Sequence, residues 1–229
     1  MTRISRAISN TVSFSPSRAI ETFPHMDLSG GGGGGATTST FTVAASEDNG
    51  AFYTDQYNDP TPATSYSNRV SGGSIYAPGV NRYDEGWLST RYRFWNVFLR
   101  FTNVTIPAGS TISAAKLKVD FLSGSERTFQ INGYNADNVS QPSSGSDGNH
   151  MNYTSANASW TIPASAAIHD SPEIKTIVQE IVDRSGWASG NAMMFSIWLN
   201  ATEYSTYKRN LYFIDASGGT DPQLEITYS

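Results

Sequence analysis

Three stretches of this sequence alternate apolar and polar side chains with a period of two. Across 96–104, Val97, Leu99 and Phe101 face one way while Phe98, Arg100 and Thr102 face the other. Across 114–122, Leu117, Val119 and Phe121 alternate with Lys116, Lys118 and Asp120, and near the end Leu224, Ile226 and Tyr228 repeat the pattern. Successive side chains of a strand point to opposite faces, so this alternation marks strands with one packed face. A chain built on such runs folds by stacking sheets. The composition agrees. Aromatic residues reach 12% and charged residues only 15%, against roughly 25% charged in an average soluble protein. Aromatic and β-branched side chains suit a pleated, half-buried surface. All-β domains run to about 200–250 residues as one unit, so one domain with an appendage is the simplest division of this chain.

Further strands are expected at 39–46, around Ala51–Tyr53 and Ser74–Tyr76, at Thr128–Tyr134, briefly at 158–162, at 192–199, and at 211–214. Residues 192–199 are apolar on both faces and therefore central. The rest of 47–96 and most of 135–158 read as loop. One helix is expected, at 171–184. Ser171 is a good N-cap, and Pro172 fits the first helical position, where its missing N–H costs nothing. Ile174, Ile177, Val178, Ile181 and Val182 form one stripe, and Gly186 ends the helix. It should lie across a sheet edge or cap one end of the fold. The expected architecture is all-β: a jelly-roll-type antiparallel β-sandwich with one short amphipathic helix and an extended N-terminal arm.

The arm is residues 1–29, which mix isolated apolar residues with Ser, Arg and Pro and sustain no period. Gly30–Gly35 is a run of six glycines, the composition of a flexible linker. The linker, 30–36, precedes the sandwich, 37–229. The arm reads either as a disordered leader or as an anchor that orders on a partner. Ile4, Ile8, Val12, Phe14, Ile20 and Phe23 give it something to bury.

A net charge of −5 argues against a broad nucleic-acid face, which draws on clustered Lys and Arg. The arm is the exception. Residues 1–20 hold Arg3, Arg6 and Arg18 and no acid, which suits nucleic acid or an acidic groove on a protein. With no cysteine, disulfides, thiolate metal sites and Cys nucleophiles are excluded. No signal-peptide h-region opens the sequence, and no run approaches the roughly 18 apolar residues of a membrane span. The expectation is a protein made and kept in the cytoplasm, or released by a route other than general secretion.

No catalytic constellation stands out. His25, His150 and His169 show no metal spacing, and the glycine run lacks the Gly-Lys-Ser/Thr of a phosphate loop. Glu47/Asp48 and Asp84/Glu85 could form the carboxyl pair of glycoside hydrolysis in three dimensions, and turn acids are the plainer reading. Asp48, Asn49, Asp55, Asp59, Asp137 and Asn138 offer the hard oxygens calcium prefers, but no fixed loop spacing unites them. The aromatic residues are more suggestive. Tyr76, Tyr83, Trp87, Tyr92 and Trp95 lie within twenty residues. They either cover a loop-rich core or form a contact surface for a subunit or a glycan. The candidate interaction residues are therefore Arg3, Arg6, Phe14, Arg18 and Phe23 in the arm, and Tyr83, Trp87, Tyr92 and Trp95 in the domain.

The order of these motifs has a parallel. VFLRFTNVTIPAGSTISAAKLKVDF (97–121) resembles the strand, Pro-Gly turn and strand signature of DNRLRE-type, carbohydrate-binding-module-like β-sandwiches. SPEIKTIVQEIVDRSGWASGNAMMFSIWL (171–199) resembles their short helix, Trp-x-x-Gly-Asn turn and central strand, and PQLEITY (222–228) their closing strand. Together these segments span about 40–229. The resemblance implies a β-sandwich that binds rather than catalyses, a glycan as one class of ligand, and a structural calcium as the one cofactor to expect. Similar domains occur in virion proteins of tailed bacteriophages. The arm, glycine hinge and missing cysteines suit that setting, with assembly in the host cytoplasm, other virion proteins as partners of the arm, and a homo-oligomer as the working form. An extracellular glycan-binding module is the alternative, and a glycan-cleaving enzyme the third reading.

Overall fold

A computed structural model describes residues 35–71, 78–200 and 218–229, with the backbone of 207–211. Arg3, Arg6, Phe14, Arg18, Phe23, Tyr76 and residues 212–214 lie outside the described residues, and with them the arm, most of the glycine run and the strand expected at Ser74–Tyr76.

The described chain forms two antiparallel sheets and one helix. The first sheet holds β1 (Thr37–Thr42), β12 (Gln223–Tyr228), β6 (Ile112–Gly124) and the short β9 (Ala167–Asp170), in that order across the layer. The second holds β3 (Asn68–Ser71), β2 (Asn49–Tyr57) and β5 (Thr90–Phe101). The other edge of β5 is shared by β4 (Gly79–Asp84) and β10 (Met193–Trp198), and β7 (Arg127–Tyr134) and β8 (Tyr153–Ile162) follow. β11 (Tyr207–Leu211) joins the layers, pairing β4 at one end and β6 at the other.

The alternating runs do what their period requires. Val97, Leu99, Phe101, Leu117, Val119, Phe121, Leu224 and Ile226 are all fully buried, and by alternation each set shares one face of its sheet. The Phe121 ring meets Trp160 of the facing layer edge-on, with centroids 5.5 Å apart. The helix α1 (Lys175–Val182) packs across β6, β7 and β8, and Ile174, Ile177, Val178, Ile181 and Val182 are buried as one stripe. It sits so close to β7 that a Cβ at Gly133 would come within 2.7 Å of Ile177 Cγ2. Among the described residues, no helix is long and apolar enough to cross a membrane.

Several expectations are corrected. The helix starts at Lys175, not at Ser171–Pro172. The Ser171 hydroxyl instead accepts the Leu117 N–H (2.9 Å), and the Ser171 N–H donates to the Leu117 carbonyl, so 171–174 prolongs the β9 ladder along β6. The aromatic stretch before Asn96 is not loop. β5 begins at Thr90, and β3 and β4 precede it. The first strand ends at Thr42, short of residue 46, β2 runs from Asn49 to Tyr57, and β8 starts at Tyr153 rather than at 158.

Residues 58–67 and 135–152 cover the outer face of the second sheet. There Phe52, Phe98, Asn96 and Ser196 are fully buried. Gly148 lies against Phe52 so closely that a Cβ would come within 2.4 Å of the ring, and Gly145 leaves no room for one beside Asn68. Under this cover is a polar knot. The Asn96 amide donates to the Tyr153 hydroxyl, Ser196 Oγ donates to Asn96 Oδ1, and the Tyr153 hydroxyl donates to the Gly148 carbonyl at 2.9 Å. Mutual satisfaction makes burial of these groups tolerable.

Candidate binding surface

β5 changes character along its length. From Asn96 to Phe101 it is packed on both faces. From Thr90 to Trp95 the face continuous with the core carries Arg91, Arg93 and Trp95, and the register sets neighbours beside each. Tyr57 and Tyr83 flank Arg91, Asp55 and Asn81 flank Arg93, and Tyr53 and Gly79 flank Trp95.

These side chains form a ladder. Arg93 grips Asp55 with two parallel bonds, Nε to Oδ1 at 2.7 Å and Nη2 to Oδ2 at 2.8 Å, and Arg91 Nη1 reaches the same carboxylate at 3.3 Å. Fork-to-fork pairs of this kind are the strong form of ion pair. The hydrogen bond to Arg93 holds the Asp55 carboxyl below its ordinary pKa, against the opposing effect of burial, and the same bond raises Arg93. Arg93 lies 4.5 Å from the Tyr53 ring centroid and Arg91 lies 4.6 Å from that of Tyr83, both cation–π contacts. The Tyr53 and Trp95 rings meet at 4.8 Å.

The ladder leads to the β4–β5 hairpin, residues 85–89. Gly86 has φ +103, a conformation in which any other residue is strained. The tip is braced from several sides. The Glu85 N–H donates to the Ser89 carbonyl (2.9 Å), Arg91 Nε meets the Glu85 carboxylate at 2.6 Å, and Arg82 meets Asp84 at 2.7 Å. Asn58 ties the end of β2 in, donating its N–H to the Thr90 carbonyl (2.7 Å) while its Oδ1 accepts the Thr90 N–H (2.9 Å). On this held frame Trp87 is 102% exposed and Leu88 89% exposed, with Tyr57 at 59% nearby at the end of β2. The tip therefore presents an uncovered Trp–Leu pair on a braced frame.

The sequence candidates thus separate. Tyr83 and Trp95 join the ladder. Tyr92 is buried on the opposite face of the same strand, and Trp87 stands alone at the tip. Tyr53, Leu88, Arg91 and Arg93 were not among the candidates. Their signal was the alternation Arg91, Arg93, Trp95, which reads as a strand face once the segment is known to be a strand.

The acids weighed for calcium sit on separate segments, each with a partner. Asp48 is paired with Arg100 (2.5 Å), Asp55 with Arg93, and Asp137 with Arg184 (2.6 Å), while Asp59 Oδ1 accepts the Thr61 N–H (2.9 Å). Among the described residues, no three His or acidic side chains gather to hold a metal. A cavity of about 410 Å³ opens under the 135–152 cover, lined by Asn135, Asn138, Gln141, Asp147 and Met194 among others. No model of a known protein family matches the chain, and no curated protein matches it in sequence.

Proposed function

We propose that this chain is a non-catalytic structural subunit of a tailed-bacteriophage particle, a decoration, fibre or tail-associated protein working through surface contacts. The observation that carries the contact role is the hairpin tip, where Trp87 and Leu88 are uncovered on a frame fixed by ion pairs and backbone bonds. Exposing a Trp–Leu pair brings no folding gain, and Trp is among the residues that dominate binding once a partner buries them. Tyr53 and Tyr83 each already stack one face on a guanidinium group and so offer less to a sugar ring, whereas a protein pocket can take the tip. The arm–glycine–sandwich order and the motif resemblance support the particle setting. The acids of the ladder are neutralised by arginines, which suits binding rather than acid–base work.

The test is incorporation. Trp87→Ala combined with Leu88→Ser should fold as the parent does by circular dichroism and be depleted at least tenfold from purified particles. Parental incorporation would overturn the contact role of the tip.

The amide and hydroxyl groups that line the 410 Å³ cavity beside Asp147 favour a second reading, a glycan ligand. A glycan array separates the two. Binding that survives Trp87→Ala but is lost with Asn138→Ala and Gln141→Ala supports this second reading, and no binding at millimolar glycan removes it.

A further inference from the structure

The sandwich treats its sheet edges unequally. On the helix side the exposed ladder is closed by side chains. The N–H groups of Ile112, Ala115 and Leu117 on β6 donate to Gln179 Oε1 (2.8 Å), Glu173 Oε1 (2.7 Å) and Ser171 Oγ (2.9 Å). The Glu180 carboxylate takes the N–H groups of Ser155 and Ala156 on β8, each at 2.8 Å.

The β1 edge has none of this. β1 pairs β12 on one side, and among the described residues nothing pairs its other side. Its register with β12 runs unbroken from Thr37↔Tyr228 to Thr42↔Gln223. The next residue, Val43, donates to the Pro222 carbonyl (3.2 Å). Antiparallel ladders alternate bonded and non-bonded pairs, so the N–H and C=O groups of Thr38, Thr40 and Thr42 point away from β12. The strand, TTSTFT, has no lysine, proline or bulge, the usual devices that blunt an edge. Phe41 near one end of the β1–β12 pair and Tyr228 at the other pack on the core yet stay partly exposed. A strand added here would find an unpaired ladder and an apolar shoulder.

A donor of matching pattern lies in the same sequence. The arm sustains no period over its whole length, but residues 4–14, ISRAISNTVSF, alternate. Even positions carry Ile4, Arg6, Ile8, Asn10, Val12 and Phe14, and odd positions carry only Ser, Ala and Thr. One large face and one small face, with no Gly or Pro, is a strand pattern. The acceptor strand carries no charge to repel the basic arm.

We propose that the outer edge of β1 is a strand-acceptor site and that its occupant is residues 4–14 of a neighbouring copy, added antiparallel. Backbone bonds supply affinity and the alternating face supplies register, as in other strand additions. The proposal rests on the reading of the arm as an anchor and names its seat. Copies held side by side on a particle present each other's arms at high local concentration, and exchange of a segment between identical copies is a low-cost route to assembly.

Two full-length variants test it. Thr40→Pro removes an outward N–H without touching a bond to β12, and Ile8→Pro interrupts the donor. By sedimentation the parent should associate, each variant alone should associate at least tenfold more weakly, and an equimolar mixture should recover a dimer, because each retains the half the other lacks. A monomeric parent, a variant that associates like the parent, or a mixture without dimer overturns the proposal. If Thr40→Pro does not fold, Thr38→Pro takes its place. Deletion of 1–29 separates the two layers of inference. If that chain still enters particles, the anchor reading fails. If it is excluded but the mixture forms no dimer, the anchor stands and β1 is not its seat.

Discussion

The two halves of β5 belong to one strand and one sheet, yet their surroundings differ. From Asn96 to Phe101 both faces are sealed, one by the opposing sheet and the other by the loops over Phe98 and the Asn96–Ser196–Tyr153 knot. From Thr90 to Trp95 the strand carries arginines stacked on tyrosines and adjoins a tip whose apolar residues are exposed. The backbone ladder is continuous through both, with β2 paired from Arg91 to Leu99. What differs is the set of neighbours, so substitutions in the first half should be read in stability and those at the tip in association.

The largest expected effect lies in the sealed half. Phe98→Ala removes a ring that packs 4.7 Å from Phe52 and should cost about 3–5 kcal/mol of unfolding free energy by chemical denaturation. A loss under about 1 kcal/mol would show that the loop cover is not a true second core. Next, Asn96→Ala takes one hydrogen bond each from the buried Ser196 and Tyr153, which still bond each other and, through Tyr153, the Gly148 carbonyl, and the two lost bonds should cost about 1–3 kcal/mol. Restoring the hydrogen bonds with Asn96→Ser should recover less than half of this, because the shorter side chain cannot reach both.

A smaller effect concerns acid. Burial among Tyr66, Tyr153 and Trp198 lowers the His150 pKa from 6.5 to about 4. The unfolded chain then binds a proton in this interval that the folded chain does not. Stability should therefore fall as the pH drops from about 6.5 towards 4, and level off with respect to this group below that. The slope contributed cannot exceed about 1.4 kcal/mol per pH unit, and the partial exposure of the ring makes it less. His150→Gln should flatten this part of a stability–pH curve, and an unchanged curve would place the acid response elsewhere.

The sealed half was far more legible in the sequence than the open one. Val97, Leu99 and Phe101 alternate cleanly because one face meets a dry core, and the helix stripe shows for the same reason. Thr90–Trp95 alternates too, but its inner positions are Arg91 and Arg93, and nothing local says that Asp55, thirty-six residues away in sequence from Arg91, will neutralise them. β3 and β4 were hidden likewise, since polar strands gain their identity from pairing. The Ser171–Pro172 start signal misled because a long-range partner, the Leu117 N–H, claimed the capping hydroxyl. Gly145 and Gly148 read as loop punctuation. Their real constraint is what presses on them. Of the candidate surface, Trp87 and Tyr83 were legible as aromatics, and Leu88 was not, because exposure of a single leucine depends on the turn that carries it.

The proposal that the open half of β5 leads to a contact tip while the sealed half is structural is tested most directly by one paired measurement on Trp87→Ala: thermal midpoint and particle incorporation, each relative to the parent. A side chain that is 102% exposed should change stability by no more than about 0.5 kcal/mol while incorporation falls by tenfold or more. A variant that unfolds at a clearly lower temperature, or one that enters particles as the parent does, would contradict the account.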